Sequence, residues 1–370
     1  MTLFGNIKYI DSMATRVTIQ DIADSLGLSR NTVSKAINNT GSIASGTREA
    51  IFKKAKEMGY KLFSYATEDG ATSLDAGEAK KEKISAGDFA LFTAGILDSL
   101  HFSAKMLDVM QEEASKLGCG FTIYRITARE LKEKKLPSSF DKKRTLGIFC
   151  VEMFDKDYCK LLSSFGLPLL FIDTPVTFSP YVIKADVLLM ENRNCIYQFI
   201  EEMALRGKTD FAFVGEDLHC RSFFERYDAF RGALFLNNLE YRAEWTLTKN
   251  KILSEKEGLF DYHGYLTDCI KKWEKIPEVI ICANDFIATD FLLVLRENGI
   301  RVPEDTFVCG FDDSPQALIV SPPLTSIHIN AHDMGKVAMT LMLSRIEDPK
   351  LAYRTAYVQS YLVYRASTMN

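Results

Sequence analysis

No apolar run in the 370 residues approaches the ~20 needed to cross a membrane. The N-terminus lacks the basic start, long apolar stretch and small-residue cleavage site of a secretory signal, so the expected compartment is the cytoplasm. Eight cysteines, at 119, 150, 159, 195, 220, 269, 282 and 309, form no CxxC pair, and several sit inside apolar runs such as Ile148-Phe149-Cys150-Val151. That usage fits buried thiols in a reducing compartment better than disulfides or metal ligands. The five histidines (101, 219, 263, 328, 332) match no metal-binding spacing. A GxxxxGK(S/T) phosphate loop, a GxSxG elbow and an HExxH pair are all missing, so the residues offer no catalytic constellation and call for no cofactor.

What is present is ample apolar material, 47% of the chain, in a length that suits one small unit plus a larger one or two comparable lobes. The net charge of −4 is unevenly spread: residues 13–63 carry eight Lys/Arg against four Asp/Glu, while residues 64–370 carry a net −8. A basic head on an acidic body implies that the head is what meets a polyanion. Residues 1–12 read as a loose leader, with Met13 a candidate start, because patterned sequence begins just beyond it.

Within the head, Thr18 is placed to cap a helix whose apolar face is Ile19, Ile22, Ala23 and Leu26. Gly27 supplies a residue free to take positive φ for a tight turn. Ser29 can cap a second helix, Arg30 to about Asn38, with Val33, Ala36 and Ile37 inward and Arg30, Asn31, Ser34, Lys35 and Asn38 outward. A third helix, capped by Ser45 and stopped by Gly59, is expected to bury Ala50, Ile51, Ala55 and Met58. Three short helices with a glycine turn between the first two satisfy a helix-turn-helix. Arg and Asn opening the second helix suit bidentate bonds to base edges, and Ser29, Thr32, Ser34 and backbone N–H groups suit phosphates. Composition alone fits equally a small helical bundle with a solvated polar face.

The stretches Val17-Thr18-Ile19-Gln20-Asp21-Ile22-Ala23, Gly27-Leu28-Ser29 and Asn31-Thr32-Val33-Ser34-Lys35-Ala36-Ile37-Asn38, with Thr47-Arg48-Glu49 and Gly59-Tyr60, resemble the DNA-binding head of the lactose-repressor (LacI/GalR) family without a gap. The resemblance implies that Arg30 and Asn31 are the main base readers, supported by Ser34 and Lys35. Ser29, Thr32 and Asn38 would then contact the backbone or neighbouring bases, with Thr18 at the start of the same unit. Residues 64–83 read as a linker. They depart from the family pattern: Leu62-Phe63 replaces its Pro-Asn pair, and Asp69 stands where a leucine would wedge into the minor groove.

From 84 to 370, continuous apolar strands alternate with helical stretches, the pattern of parallel sheets covered on both faces. The expectation is an all-α head followed by an α/β body of two doubly wound parallel-sheet lobes, with ligand at the carboxyl ends of the strands. Ala283-Asn284-Asp285, Gly310-Phe311-Asp312-Asp313-Ser314 and Ser321-Pro322-Pro323-Leu324-Thr325 again resemble the LacI family, whose body is similar to periplasmic sugar-binding proteins. The resemblance implies a first lobe of about 84–185 and 326–350 and a second of about 186–325 and 351–370. It places Arg226, Asp173, Asn284 and Asp312 in an interlobe effector site, with Phe102 and Phe260 as stacking walls. A guanidinium among carboxylates and an amide suits a polyhydroxylated ligand, probed by Arg226→Ala, which should then silence the ligand response and spare operator binding. The expected partners are operator DNA, a small carbohydrate effector and a second copy of the chain, with no membrane. A stand-alone sugar binder is the competing reading, opposed by the complete head.

Overall fold

The computed structural model describes residues 18–37, 43–58, 87–95, 102–176, 183–248 and 262–369. The chain divides between Glu82 and Lys83 into two compact units. The expected leader and linker, together with Asn38 and Phe260, lie outside the described residues.

The N-terminal unit consists of α1 (Ile19–Leu26), α2 (Arg30–Ile37) and α3 (Ser45–Glu57). Thr18 and Asp21 cap α1 reciprocally: the Thr18 hydroxyl accepts the Asp21 N–H at 3.3 Å, and the Asp21 carboxylate accepts the Thr18 N–H at 2.7 Å. Gly27, at φ 62°, ends α1 in the left-handed region, and the Leu28 N–H then reaches back to the Ala23 carbonyl at 3.0 Å. The Ser29 hydroxyl accepts the Thr32 N–H at 3.1 Å and so starts α2. Ile22, Ala23, Val33, Ala36, Ile51 and Ala55 form the core of this unit. Two expectations are corrected here. Ala50 is exposed, because the inward stripe of α3 runs through Ile51 and Ala55. Ser45 is the first helical residue, so the cap position falls one residue earlier.

The body follows in chain order as β1 (Asp88–Thr93), α4 (Ser103–Lys116), β2 (Gly120–Arg125), α5 (Ala128–Glu133), β3 (Thr145–Val151), α6 (Lys156–Ser163), β4 (Leu169–Ile172) and β5 (Asp186–Met190). Then come α7 (Asn194–Leu205), β6 (Phe211–Val214), α8 (Arg221–Leu236), β7 (Thr246–Leu247), α9 (Tyr262–Ile270), β8 (Val279–Cys282), α10 (Asp285–Glu297) and β9 (Phe307–Cys309). The chain closes with α11 (Pro315–Ile319), β10 (Ser326–Ile329), α12 (Ala331–Glu347), β11 (Thr355–Val358) and β12 (Ser360–Val363). One sheet is six-stranded in the order β11-β5-β4-β3-β1-β2, another four-stranded in the order β7-β6-β8-β9, and both are parallel throughout. An antiparallel pair, β10 with β12, completes the set.

The apolar runs read as strands are buried from end to end in β4, β6 and β8, and from Gly147 onward in β3, as parallel strands covered on both faces should be. The expected lobe boundaries need correction. β5 pairs with β4, and β11 pairs with β5, so both strands belong to the first sheet although 186–190 and 355–358 were assigned to the second lobe. The reason is Asp186. Its carboxylate, 1% exposed, accepts Arg345 Nη2 at 2.8 Å, Arg354 Nη2 at 2.7 Å and the Arg354 N–H at 2.8 Å, tying the start of β5 to α12 and the approach to β11. The chain passes between the sheets after β5, through β10, and between β11 and β12.

Candidate functional site

On the N-terminal unit, the outward face of α2 presents Arg30, Asn31 and Lys35 to solvent, with Thr32 and Ser34 half-buried. Ser29 and Thr18 are exposed but carry capping bonds, and the Ser29 and Thr32 hydroxyls meet at 2.8 Å. Among the described residues, no carboxylate pairs with Arg30 or Lys35. Two cations and an amide therefore project from a rigid helix whose opposite face is packed. That is a surface able to dock an anionic, hydrogen-bonding partner.

In the body, the carboxyl ends of β3 and β4 face elements of the second sheet across a cavity of about 70 Å³. Phe102, Asp173, Arg226, Asn284 and Asp312, five of the six residues expected at an effector site, line it together. Glu152, Phe154, His219, Cys220, Ser222 and Phe223 join them, and sequence reasoning missed all six. Glu152 was legible as the first polar residue after the apolar run of β3. Phe154 lies two residues further on, and His219, Cys220, Ser222 and Phe223 precede or open α8, where nothing in the local pattern marks which side faces a cavity.

The cavity carboxylates share a backbone feature. Glu152 (φ 53°), Asp173 (φ 63°) and Asp312 (φ 112°) are non-glycine residues at positive φ. Such conformations are costly for residues bearing a Cβ and persist only where the surroundings impose them. Here they turn the chain sharply at the strand ends and deliver a carboxylate to each turn.

Arg226 is 2% exposed. Its Nε donates to Asn192 Oδ1 at 3.0 Å and its Nη1 to the Ala283 carbonyl at 2.6 Å, with Asp312 Oδ1 at 3.6 Å. The guanidinium lies 3.5 Å from the centroid of the Phe311 ring. Burial lowers its affinity for a proton, and the Asp312 charge opposes that shift. Asn284 lines the cavity and also caps α10, accepting the Ile287 N–H at 3.0 Å.

Asp173 connects the two walls. Its Oδ1 accepts the Thr174 N–H at 2.7 Å and the Ser222 N–H at 3.2 Å, while the Thr174 carbonyl accepts the Arg221 N–H at 2.8 Å. Residues following a first-sheet strand thus satisfy two of the otherwise unpaired N–H groups at the start of α8. Tyr357 of β11 adds a second tie: its hydroxyl accepts from Arg221 Nη2 and donates to Glu225 Oε1, each at 2.8 Å. Burial raises the Asp173 carboxyl above its usual range, partly offset by these donors, and burial lowers His219.

Behind the cavity, Asp285 is fully buried and accepts the Ser314 N–H and the Ser326 hydroxyl, each at 2.7 Å. Burial first, and then the nearby Asp312 charge, push its carboxyl up to about 7. The folded protein therefore keeps this proton over a pH range in which the unfolded chain, with a carboxyl near ~3.9, has released it. Stability from this group is complete below the unfolded value and declines as pH rises through about 7. Melting curves should shift several degrees downward between about pH 5 and about pH 8, and Asp285→Asn should flatten that dependence. An unchanged slope in the variant would assign the pH dependence elsewhere.

All eight cysteines are free, and seven are buried. No helix among the described residues is long and apolar enough to cross a membrane, and no group of His, Cys, Asp and Glu there is arranged to hold a metal ion.

Comparison with known proteins matches residues 18–61 to the bacterial regulatory proteins of the lacI family and residues 200–368 to the periplasmic binding protein-like domain. The HTH-type transcriptional repressor PurR of Vibrio parahaemolyticus is 28% identical over 359 residues, spanning 94% of this chain and 97% of that protein. PurR of Histophilus somni is 24% identical over 357 residues, spanning 95% and 98%. Among solved structures, the regulator CelR in complex with cellobiose superposes with a TM-score of 0.64 at 21% identity, covering 95% of this chain and all of that one. The lac repressor dimer bound to operator and the anti-inducer ONPF gives 0.61 at 18%, covering 96% and all of that chain. The packed helix-turn-helix, the fold of the body and the agreement along nearly the full length lead to one description: the chain joins a lacI-family DNA-binding domain to a periplasmic binding protein-like domain, as the LacI-type repressors it resembles do.

Proposed function

We propose that the protein is a cytoplasmic homodimer that represses transcription from a pseudo-palindromic operator and responds to a small carbohydrate bound between its two sheets. Arg30 and Asn31 read base edges, Ser34 and Lys35 support them, and Ser29, Thr32 and Asn38 contact the backbone or neighbouring base edges, with Thr18 in the same DNA-binding set. The observation that carries the effector half is the cavity itself. Its lining comes from both sheets and mixes carboxylates, an amide and an arginine with the rings of Phe102, Phe154 and Phe223. Hydroxyls both donate and accept, so they suit such a lining, and aromatic rings suit the apolar faces of a sugar. The cellobiose bound by CelR is consistent with this class.

At about 70 Å³ the cavity is below the ~300–1,000 Å³ of pockets for drug-sized ligands. Seating a sugar therefore separates the walls and strains the Asp173–α8 and Tyr357–α8 ties. A ligand that binds the two arrangements unequally shifts operator affinity by that difference. The reading is tested by titrating the full-length protein onto duplex from its own upstream region, with and without a panel of mono- and disaccharides. One sugar shifting specific, salt-sensitive binding supports it, and specific binding that no sugar shifts moves the effector to another class. On the DNA side, Asn31→Ala should weaken specific binding by about 1–3 kcal/mol and leave non-specific duplex affinity unchanged. An equal loss on both duplexes would reassign Asn31 to phosphate contact.

A further inference from the structure

On the first sheet, the register pairs Ala90 with Thr122 and Phe92 with Tyr124, so these four side chains share one face. Toward the strand ends that face is closed. Phe140, on the connection between α5 and β3, meets Phe92 at 5.1 Å and Tyr124 at 5.7 Å, both edge-on. Toward the strand starts, Ala90 offers only a methyl group and Thr122 a short side chain, and a cavity of about 330 Å³ is left. Thr122 and Tyr124 line it from the sheet, and Ser139, Asp141, Arg144 and Thr145 from the connection and the start of β3. Its volume falls in the ~300–1,000 Å³ range of small-molecule pockets, where the cavity of about 70 Å³ at the strand ends does not.

The wall made by the connection is held by its own bonds. The Asp141 carbonyl accepts the Arg144 N–H at 3.3 Å and the Thr145 hydroxyl at 2.8 Å, and Asp141 Oδ1 accepts the Lys143 N–H at 2.9 Å. Arg144 is fixed to β1 twice: its carbonyl accepts the Asp88 N–H, and its Nη2 donates to Asp88 Oδ2, each at 2.9 Å. The hydroxyls of Thr122, Tyr124 and Ser139 have no hydrogen-bond partner among the described residues, and each can both donate and accept. Asp88 and Arg144 neutralise one another, which leaves Asp141 as the net charge of the lining.

We propose that this cavity is a second small-molecule site, which takes a neutral polyhydroxylated ligand of monosaccharide size. Three hydroxyls, the second oxygen of Asp141 and the guanidinium N–H groups not given to Asp88 supply donors and acceptors that ligand hydroxyls match in both directions. The leftover carboxylate disfavours a phosphorylated sugar, since like charges repel. β3 runs from Thr145 in this cavity to Val151 in the other, so the two sites occupy opposite ends of one strand. Occupancy here does not depend on what the cavity at the strand ends binds.

The test uses the full-length protein with labelled alanine and methionine methyl groups, titrated separately with glucose, galactose, myo-inositol and glucose-6-phosphate. The Ala90 methyl reports this site by NMR, and the Met190 methyl, in the lining of the cavity at the strand ends, reports the other. At least one neutral probe should move the Ala90 resonance saturably, and the phosphorylated sugar should do so about tenfold more weakly or not at all. Thr122→Val with Ser139→Ala removes two hydroxyls and should weaken the response about tenfold, each lost hydrogen bond being worth a few-fold. Thr122→Phe fills the space and should abolish it. Movement of Met190 alone would overturn the proposal and leave the carbohydrate reading of the first cavity intact. Silence of Ala90 toward every neutral probe would also overturn it, as would an unchanged response in both variants or a preference for the phosphorylated sugar. Thr122 and Ser139 are exposed, so the variants should fold, which a melting curve on each verifies. If either unfolds, the other variant and the wild-type Ala90 response still decide the matter.

Discussion

Arg226→Ala should lower the stability of the body by about 3–5 kcal/mol, the scale expected when one partner of a buried, hydrogen-bonded charge cluster is removed. Asn192 Oδ1 and the Ala283 carbonyl each lose the hydrogen bond that the guanidinium gives them, and the Asp312 carboxylate loses the positive charge 3.6 Å away. The Phe311 ring also loses the guanidinium stacked 3.5 Å from its centroid, and a void replaces a long side chain. Asn192 follows β5 at a crossing between the sheets, and Ala283 follows β8, so the guanidinium fastens the crossing to the second sheet. The structure therefore revises what the sequence led us to expect of this variant, namely loss of ligand response with operator binding intact. The body should soften first, and altered DNA binding should follow from that. Urea unfolding of the purified variant separates the two outcomes. A midpoint within experimental error of wild type, with ligand response gone, would return Arg226 to a role in ligand contact alone.

The same residue shows where sequence reasoning reaches and where it stops. Family resemblance put Arg226 in an interlobe effector site, and in the structure it lines the cavity at the strand ends. What it touches depends on Asn192 and Ala283, 34 and 57 residues away in the chain, and no local pattern encodes that pairing. Strands fared better, since unbroken runs such as Phe211–Val214 and Val279–Cys282 have one stable home, a parallel sheet covered on both sides. β5 is also such a run, and it was placed in the wrong lobe. Hydrophobicity says that Val187-Leu188-Leu189-Met190 must be covered but not by which sheet, and the deciding contacts are made by Asp186 with Arg345 and Arg354 more than 150 residues later. β11 escaped notice for the complementary reason. It is an edge strand with alternating partial exposure, so it lacks the apolar signature of its neighbours.

Those Asp186 contacts predict the second large effect. Asp186→Ala should cost about 3–5 kcal/mol, because it leaves Arg345, 5% exposed, without the carboxylate that neutralises it. Arg354 is about a third exposed and can turn toward water, so most of the penalty falls on Arg345. Burial alone would push the Asp186 carboxyl up, but hydrogen bonds from Arg345 and Arg354 outweigh it and hold the group below the usual carboxylate range. Its contribution is therefore present above the unfolded value near ~3.9 and is lost as pH falls through the lower folded value. Two experiments follow from one cause. Asp186→Ala should shift the urea midpoint strongly at neutral pH and only weakly in acid, where wild type has protonated the same group. Asp186→Leu with Arg345→Met should recover much of the loss, since an apolar pair needs no neutralisation and the charge that made the single variant costly is gone. A double variant no more stable than Asp186→Ala would mean that the first sheet needs the hydrogen bonds from Asp186 to the approach to β11, beyond any balance of charge.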